Sequence, residues 1–243
     1  MNEKIKSIQY KKEQLDKLRP LPKELIKNLN DWFKIEQTYT SNALEGNTLT
    51  RSETALVVEK GLTIGGKSLK EHLEAKNLAF AIDYVQDISR EKTISLSTIL
   101  DLHRLVLKGI DDSNAGRLRN IQVAISGSKE KLPEPIKVPE LMDKFEVSLQ
   151  ENVTHPLTKA ANAHLQLVKI HPFVDGNGRT ARLLMNLILI QDGYPPVIID
   201  PKNRAIYINA IQSTEEKFLN FIYEQAEASL NIYLDAASKT IDR

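Results

Sequence analysis

"HPFVDGNGRTAR", from His171 to Arg182, lies between the apolar-periodic stretches "TKAANAHLQLVKI" and "LLMNLILIQ". Pro172 disfavours helical geometry at His171, so one helix ends there. Gly176 and Gly178 permit positive φ around Asn177, and a second helix begins near Arg179. The consecutive N–H groups at that start, with the helix dipole behind them, can converge on an anion. Arg179 and Arg182 are three apart on one face of the first turn. Cations there oppose the dipole at a cost of roughly 0.3 to 1 kcal/mol each. A polyphosphate offsets that cost through charge-assisted contacts of about 1.5 to 3 kcal/mol each. Asp175 beside a polyphosphate would be repelled unless a hard cation bridged them, which makes it the natural magnesium ligand. His171 is the one nearby general base that is neutral near pH 7.

Working outward, most of the chain reads as helix. "EKIKSIQYKKEQLDKL" and "KELIKNLNDWFKIEQTYTSNALE" are separated by Pro20 and Pro22, and the second should stop at Gly46. Thr50 with Glu53 and Ser68 with Glu71 form capping-box patterns that start two further helices. "LSTILDLHRLVLKG", "PELMDKFEVSLQEN" and "TEEKFLNFIYEQAEASLNIYLDAA" carry apolar residues at three and four spacing. From Arg119 to Val138, a short alternating run, then Gly127-Ser128, then Pro133 and Pro135, reads as a β-hairpin flap. The expected architecture is mainly α with that one small β element. Residues 1–35 form an N-terminal helical extension, and residues 36–243 one domain.

Composition narrows the function. The 243 residues carry 33 Lys+Arg against 32 Asp+Glu, a net charge of +1, which gives no electrostatic footprint for nucleic acid or an acidic membrane. With no cysteine, disulfides and thiolate metal sites are excluded and a reducing compartment suits the chain. No signal peptide and no run of about 18 apolar residues is present, so we expect a cytoplasmic protein. "GLTIGGKS", Gly61–Ser68, matches the P-loop pattern, and "VIID" could supply an acidic strand end. The pattern needs a strand before it, yet "SETALVVEKG" is capped as a helix, so we read a loop with Ser68 as N-cap.

The twelve residues from His171 resemble the signature of the Fic family, His-x-Phe-x-(Asp/Glu)-Gly-Asn-Gly-Arg-x-x-Arg, with every fixed position present. The resemblance runs from about Tyr39 to Tyr233. "EGNTLT", "GKSL", "GRTARLLMN" and "GYPPVII" are similar to the animal endoplasmic-reticulum branch, whose membrane anchor and helical repeats this sequence lacks. The resemblance implies a Fic-type helical bundle that transfers AMP from ATP, with Mg²⁺, to a Ser, Thr or Tyr hydroxyl of a protein. On that model His171 takes the hydroxyl proton, worth roughly 10² to 10⁴ in rate. Asp175 holds Mg²⁺; Gly176, Asn177 and Gly178 form the anion hole; Arg179 binds the phosphates and Arg182 the γ-phosphate. Phe173 anchors the loop. A tyrosine or asparagine near Tyr207 contacts adenine in related enzymes, and Asn186 either reaches the nucleotide or bonds the core. The flap docks the protein substrate by pairing with its backbone. Self-modification is expected as a readout, and the N-terminal helices either pack on the core or mediate a homodimer.

"SNALEG", Ser41–Gly46, resembles the family's inhibitory signature, (Ser/Thr)-x-x-x-Glu-(Gly/Asn). Ser41 and Glu45 share a helix face, and a carboxylate at a helix C-terminus needs a cation. Arg182 is the implied partner, and Glu45 there would displace the γ-phosphate, giving an autoinhibited enzyme. AMP removal at the same site and non-catalytic ATP binding are the alternatives. His72, His103, His155 and His164 lack metal-ligand spacing and read as surface or core residues.

Overall fold

The computed structural model describes residues 3–91, 93–125, 131–151 and 155–241. Among them ten α-helices follow in order: α1 (Glu3–Lys17), α2 (Lys23–Leu44), α3 (Arg51–Lys60), α4 (Leu69–Ile88), α5 (Leu96–Leu107), α6 (Val138–Gln150), α7 (Pro156–Ile170), α8 (Asn177–Gln191), α9 (Arg204–Ile211) and α10 (Glu215–Ile241). None is long and apolar enough to cross a membrane.

Helix α8 is the axis. From Arg179 to Leu189 every residue is buried, as expected of a helix enclosed on all sides. Helix α7 packs along it, and α2, α4 and α5 close the remaining sides. The termini of the fold meet: α1 lies on α10, placing Ile5, Ile8 and Leu15 in the same core as Phe218 and Leu230. Helix α2 runs unbroken across position 35, so its middle supplies Phe33 and Ile35 to the interior and its last turn reaches the signature loop.

Helix starts follow the predicted chemistry. Thr50 and Ser68 each accept from the N3 backbone while Glu53 and Glu71 return the bond, completing both capping boxes. Four hydrogen bonds from Thr48 and Ser68 hold the Glu71 carboxylate down at a pKa of about 2. The P-loop reading is excluded by the same geometry. Gly61 is the left-handed C-cap of α3, Ser68 is the N-cap of α4, and His72 Nε2 accepts from the Ile64 N–H to fold the loop between them.

The β-hairpin expectation is corrected. Residues 126–130 lie outside the described residues, and 119–125 and 131–134 form no strand. Pro133 and Pro135 carry no N–H, which weakens any ladder. A side chain joins the two arms instead: Arg119 Nη1 donates to the Ile121 carbonyl (3.1 Å) and Nη2 to the Pro133 carbonyl (2.7 Å). Helix α9 was not anticipated, being only eight residues long and entered through a 3₁₀ turn at Pro201–Asn203.

Candidate functional site

Helix α7 ends at His171, which adopts φ +50 and is the one non-glycine residue with positive φ among the described residues. Pro172 bars the helix from continuing, so the chain turns and projects the imidazole from the end of α7. The Val168 carbonyl lies 3.3 Å from Nδ1 and can only accept, so Nδ1 carries the proton and Nε2 keeps its lone pair. Burial lowers the His171 pKa; the Val168 bond opposes this, Arg119 reinforces it, and Glu45 and Asp175 pull upward. The ring is therefore a neutral base near pH 7.

The loop is held from inside. Phe173 is fully buried and stacks on His103, ring centroids 3.7 Å apart and 6° from parallel. Asn177 closes the turn on itself: Oδ1 accepts from the Phe173 N–H (3.0 Å) and Nδ2 donates to the Phe173 carbonyl (2.9 Å). His103 fixes the far side. The Gly116 N–H donates to His103 Nδ1 (2.9 Å), so Nε2 carries the proton and donates to the Asp175 carbonyl (3.0 Å). Burial drives its pKa down to about 4, which keeps this bridge neutral. A side chain at Gly176, φ +77, would press on the His103 ring.

Helix α8 then presents its first turn. The N–H groups of Asn177, Gly178 and Arg179 precede the first intrahelical bond and point along the dipole's positive end. Asp175 Oδ1 accepts from the Gly176 N–H (2.6 Å) and from Arg179 Nη2 (3.5 Å), while its side chain is about half exposed. Arg179 itself is buried and directed inward to Glu74 of α4 (3.3 Å), so it braces Asp175 from behind. No group of three or more His, Cys, Asp or Glu suited to a metal exists among the described residues.

Arg182 lies one turn further along, buried, with its guanidinium held by the end of α2 and by α9. Nε donates to Ser41 Oγ (2.8 Å), Nη2 to the Ser41 carbonyl (3.0 Å) and to Glu45 Oε1 (2.6 Å), and Nη1 to the Tyr207 hydroxyl (3.3 Å). Burial disfavours its charge, yet Glu45 and Tyr207 raise its pKa on balance. The Tyr207 hydroxyl, accepting from Arg182, donates to His164 Nε2 (2.8 Å). Burial brings the His164 pKa down to about 3. The Glu45 carboxylate sits over Gly178, where a methyl group would collide with its Oε1. Gly46 ends α2 in the expected left-handed geometry, φ +96. A cavity of about 140 Å³ is lined by His171, Gly178, Arg182, Glu45, Tyr207 and Ile125, among others.

The predicted residues thus gather around the start of α8, except Arg179, whose guanidinium is buried against Glu74 instead of facing a phosphate, and Asn186. Its amide donates to Gln37 and to the Val197 carbonyl and accepts from the Val197 N–H, so it bonds the core. Sequence reasoning missed four contributors: His103, Arg119, Glu74 and Arg204. Arg204 Nε donates to the Leu44 carbonyl (2.9 Å) and so caps the C-terminus of α2. Only His103 left a signal, an imidazole on an otherwise apolar helix face.

The Fic/DOC family model matches residues 93–189. The chain is 40% identical over 211 residues to "Protein adenylyltransferase Fic" of Drosophila grimshawi, covering 84% of this chain and 43% of the relative. It is 39% identical over 214 residues to the protein of that name from Aedes aegypti, covering 84% and 42%. It therefore spans less than half the length of these curated relatives. A Fic domain containing signaling protein from Bacteroides thetaiotaomicron superposes with a TM-score of 0.85 at 30% identity, covering 97% of each chain. A Fic-1 structure from C. elegans does so at 0.86 and 31%, covering 96% of this chain and 71% of the other. With the signature loop set between α7 and α8 as described, the chain belongs to the Fic/DOC family.

Proposed function

We propose that this protein transfers AMP from ATP to a hydroxyl group of a protein, and that Glu45 holds the site in a restrained state. The observation that carries the reading is that His171, with its Nε2 lone pair free, Gly178 in the open first turn of α8 and Arg182 line one cavity. The names of the relatives support the same chemistry. In the reaction the hydroxyl oxygen attacks the α-phosphorus and its proton passes to His171 Nε2. The α–β phosphoanhydride bond breaks, and pyrophosphate leaves with that electron pair. The open N–H groups of Asn177 and Gly178 receive the developing charge, joined by that of Gly176 once Asp175 turns from it to a cation, and Arg182 receives the γ-phosphate once Glu45 withdraws.

Asp175 suits Mg²⁺: one half-exposed carboxylate braced by Arg179 is the donor set of an ion that keeps most of its ligands from water and phosphate. Bound there, Mg²⁺ would neutralise charge on the α- and β-phosphates. Tyr207 acts through Arg182 rather than on adenine, on the strength of its hydroxyl bonds. The segment from Arg119 to Val138 receives the protein substrate, the strand-free backbone of residues 120–125 leaving N–H and carbonyl groups for an extended chain to pair with. A reducing compartment such as the cytoplasm suits a chain without cysteine.

Autoinhibition rests on occupancy. The cavity of about 140 Å³ falls below the ~300–1,000 Å³ of ligand pockets, and the Glu45 carboxylate fills the ground above Gly178. Wild type, Glu45→Gly and Glu45→Gly/His171→Ala are incubated with Mg²⁺ and ATP labelled at the α- or γ-position. Label from the α-position only, strongest in Glu45→Gly and absent without His171, is the expected result. Label from the γ-position would replace AMP transfer with a kinase-like reaction. Equal labelling of wild type and Glu45→Gly would remove the autoinhibition.

A further inference from the structure

Arg119 is 3% exposed and makes no ion pair among the described residues. Burial alone lowers its pKa. A buried cation without a counter-charge is costly, so its hydrogen bonds have to justify it. Every one of them goes to a main-chain carbonyl. The Arg119 N–H donates to the Pro172 carbonyl (2.8 Å) and Nε to the His171 carbonyl (2.8 Å). Nη1 and Nη2 reach Ile121 and Pro133, one on each arm of the segment that replaces the expected hairpin.

The two ends of this clasp are not equivalent. One end grips the peptide groups of His171 and Pro172, where the chain holds its one positive-φ non-glycine residue among those described. A β-carbon in that conformation is disfavoured and persists only where surrounding bonds impose it. The other end gathers a segment whose Ile121 is more than half exposed and whose Ile125 lines the same cavity as His171. A planar guanidinium can direct donors at three separated carbonyls at once; an ammonium on a flexible stem cannot hold that fork.

We propose that Arg119 is a positioning residue that sets the His171 base and the substrate-facing segment in one register, so that displacing the segment displaces the imidazole. This rests on the reading of His171 as the base for AMP transfer. Arg119→Lys in the Glu45→Gly background keeps the charge and removes the fork. Self-labelling with α-labelled ATP should lose about 10- to 100-fold in kcat, with KM for ATP within about twofold. In parallel, the His171 imidazole is titrated by NMR without nucleotide, its resonance assigned with His171→Ala. The charged groups acting on the ring are Arg119, Glu45 and Asp175. The midpoint should move from its depressed value toward that of an ordinary histidine.

A raised KM with kcat unchanged, or a His171 titration identical in wild type and Arg119→Lys, overturns the proposal. On the wild type, the Arg119 Nε–H resonance should shift as His171 titrates; no response overturns it even where the variant fails to fold. Because the titrations involve no nucleotide, a chain that transfers no AMP would refute the reading of the activity while leaving the Arg119 link separately decided.

Discussion

Glu45 Oε1 accepts a hydrogen bond from Arg182 Nη2 at 2.6 Å, joining residues 137 positions apart. The carboxylate stands at the unfavourable end of α2 and the favourable end of α8, so the dipole of the second helix offsets that of the first. Arg182 is buried, but the Glu45 side chain is more than a third exposed. Such half-open pairs are worth on the order of 1 kcal/mol, which suits a contact that has to be broken.

Glu45→Gly should therefore raise the rate of α-label incorporation at least several-fold while changing the thermal midpoint little. Labelling time courses and a melting curve on the same preparations check both halves; a large loss of stability would mean that Glu45 is chiefly structural.

Gly178→Ala should abolish activity even in the Glu45→Gly background. The added methyl occupies the ground over which the carboxylate sits, so it blocks whatever anion replaces it. Calorimetric titration with ATP would then show binding in Glu45→Gly and none in the double variant. Undiminished affinity would place the anion elsewhere.

Tyr207→Phe removes the acceptor for Arg182 Nη1 and the donor to His164 in a fully buried setting. We expect a loss of about 1 to 3 kcal/mol in denaturant unfolding and weaker ATP binding in the Glu45→Gly background. Unchanged unfolding would show that water replaces the hydroxyl.

Acid should destabilise the fold before its paired carboxylates titrate. His103 and His164 stay neutral in the folded state down to about 4 and about 3, whereas unfolded histidine accepts a proton near 6.5. Depressed folded-state values mean the unfolded chain binds more protons as pH falls below 6.5, so stability is fullest above that pH and declines below it. Each contributes roughly 1.4 kcal/mol per pH unit across its window. Urea midpoints at pH 7, 6 and 5 should fall in step, and less steeply in His103→Gln than in wild type.

The signature loop and the helices were legible because their determinants are local. Pro172 and Gly176 fix the turn, Thr50 and Ser68 fix starts, and Gly46 fixes an end, each within four residues of what it controls. Residues 119–138 misled because alternation in "IQVAI" describes apolar spacing without naming a partner, and the partner is the Arg119 guanidinium. Asn186 bonds the core and Tyr207 bonds Arg182 and His164, because their hydrogen bonds are decided by α2, α7, α8 and the chain near Val197, up to 149 residues away. His103 was set aside as a core histidine, which it is, yet its Nε2 bonds the loop that carries the base while its Nδ1 is held by the Gly116 N–H of the loop after α5.

Helix α2 carries Glu45 at its C-terminal end and buries Phe33 and Ile35 deep in the fold at its middle, with Arg204 clamped on the Leu44 carbonyl. A rod anchored in that way has no freedom to swing as a lid. Release of the carboxylate comes down to fraying a single terminal turn, a local melting event on a far shorter length than domain closure. The proposed brake would then be graded by anything that firms or loosens that turn, and warming would ease it well below the temperature at which the bundle unfolds.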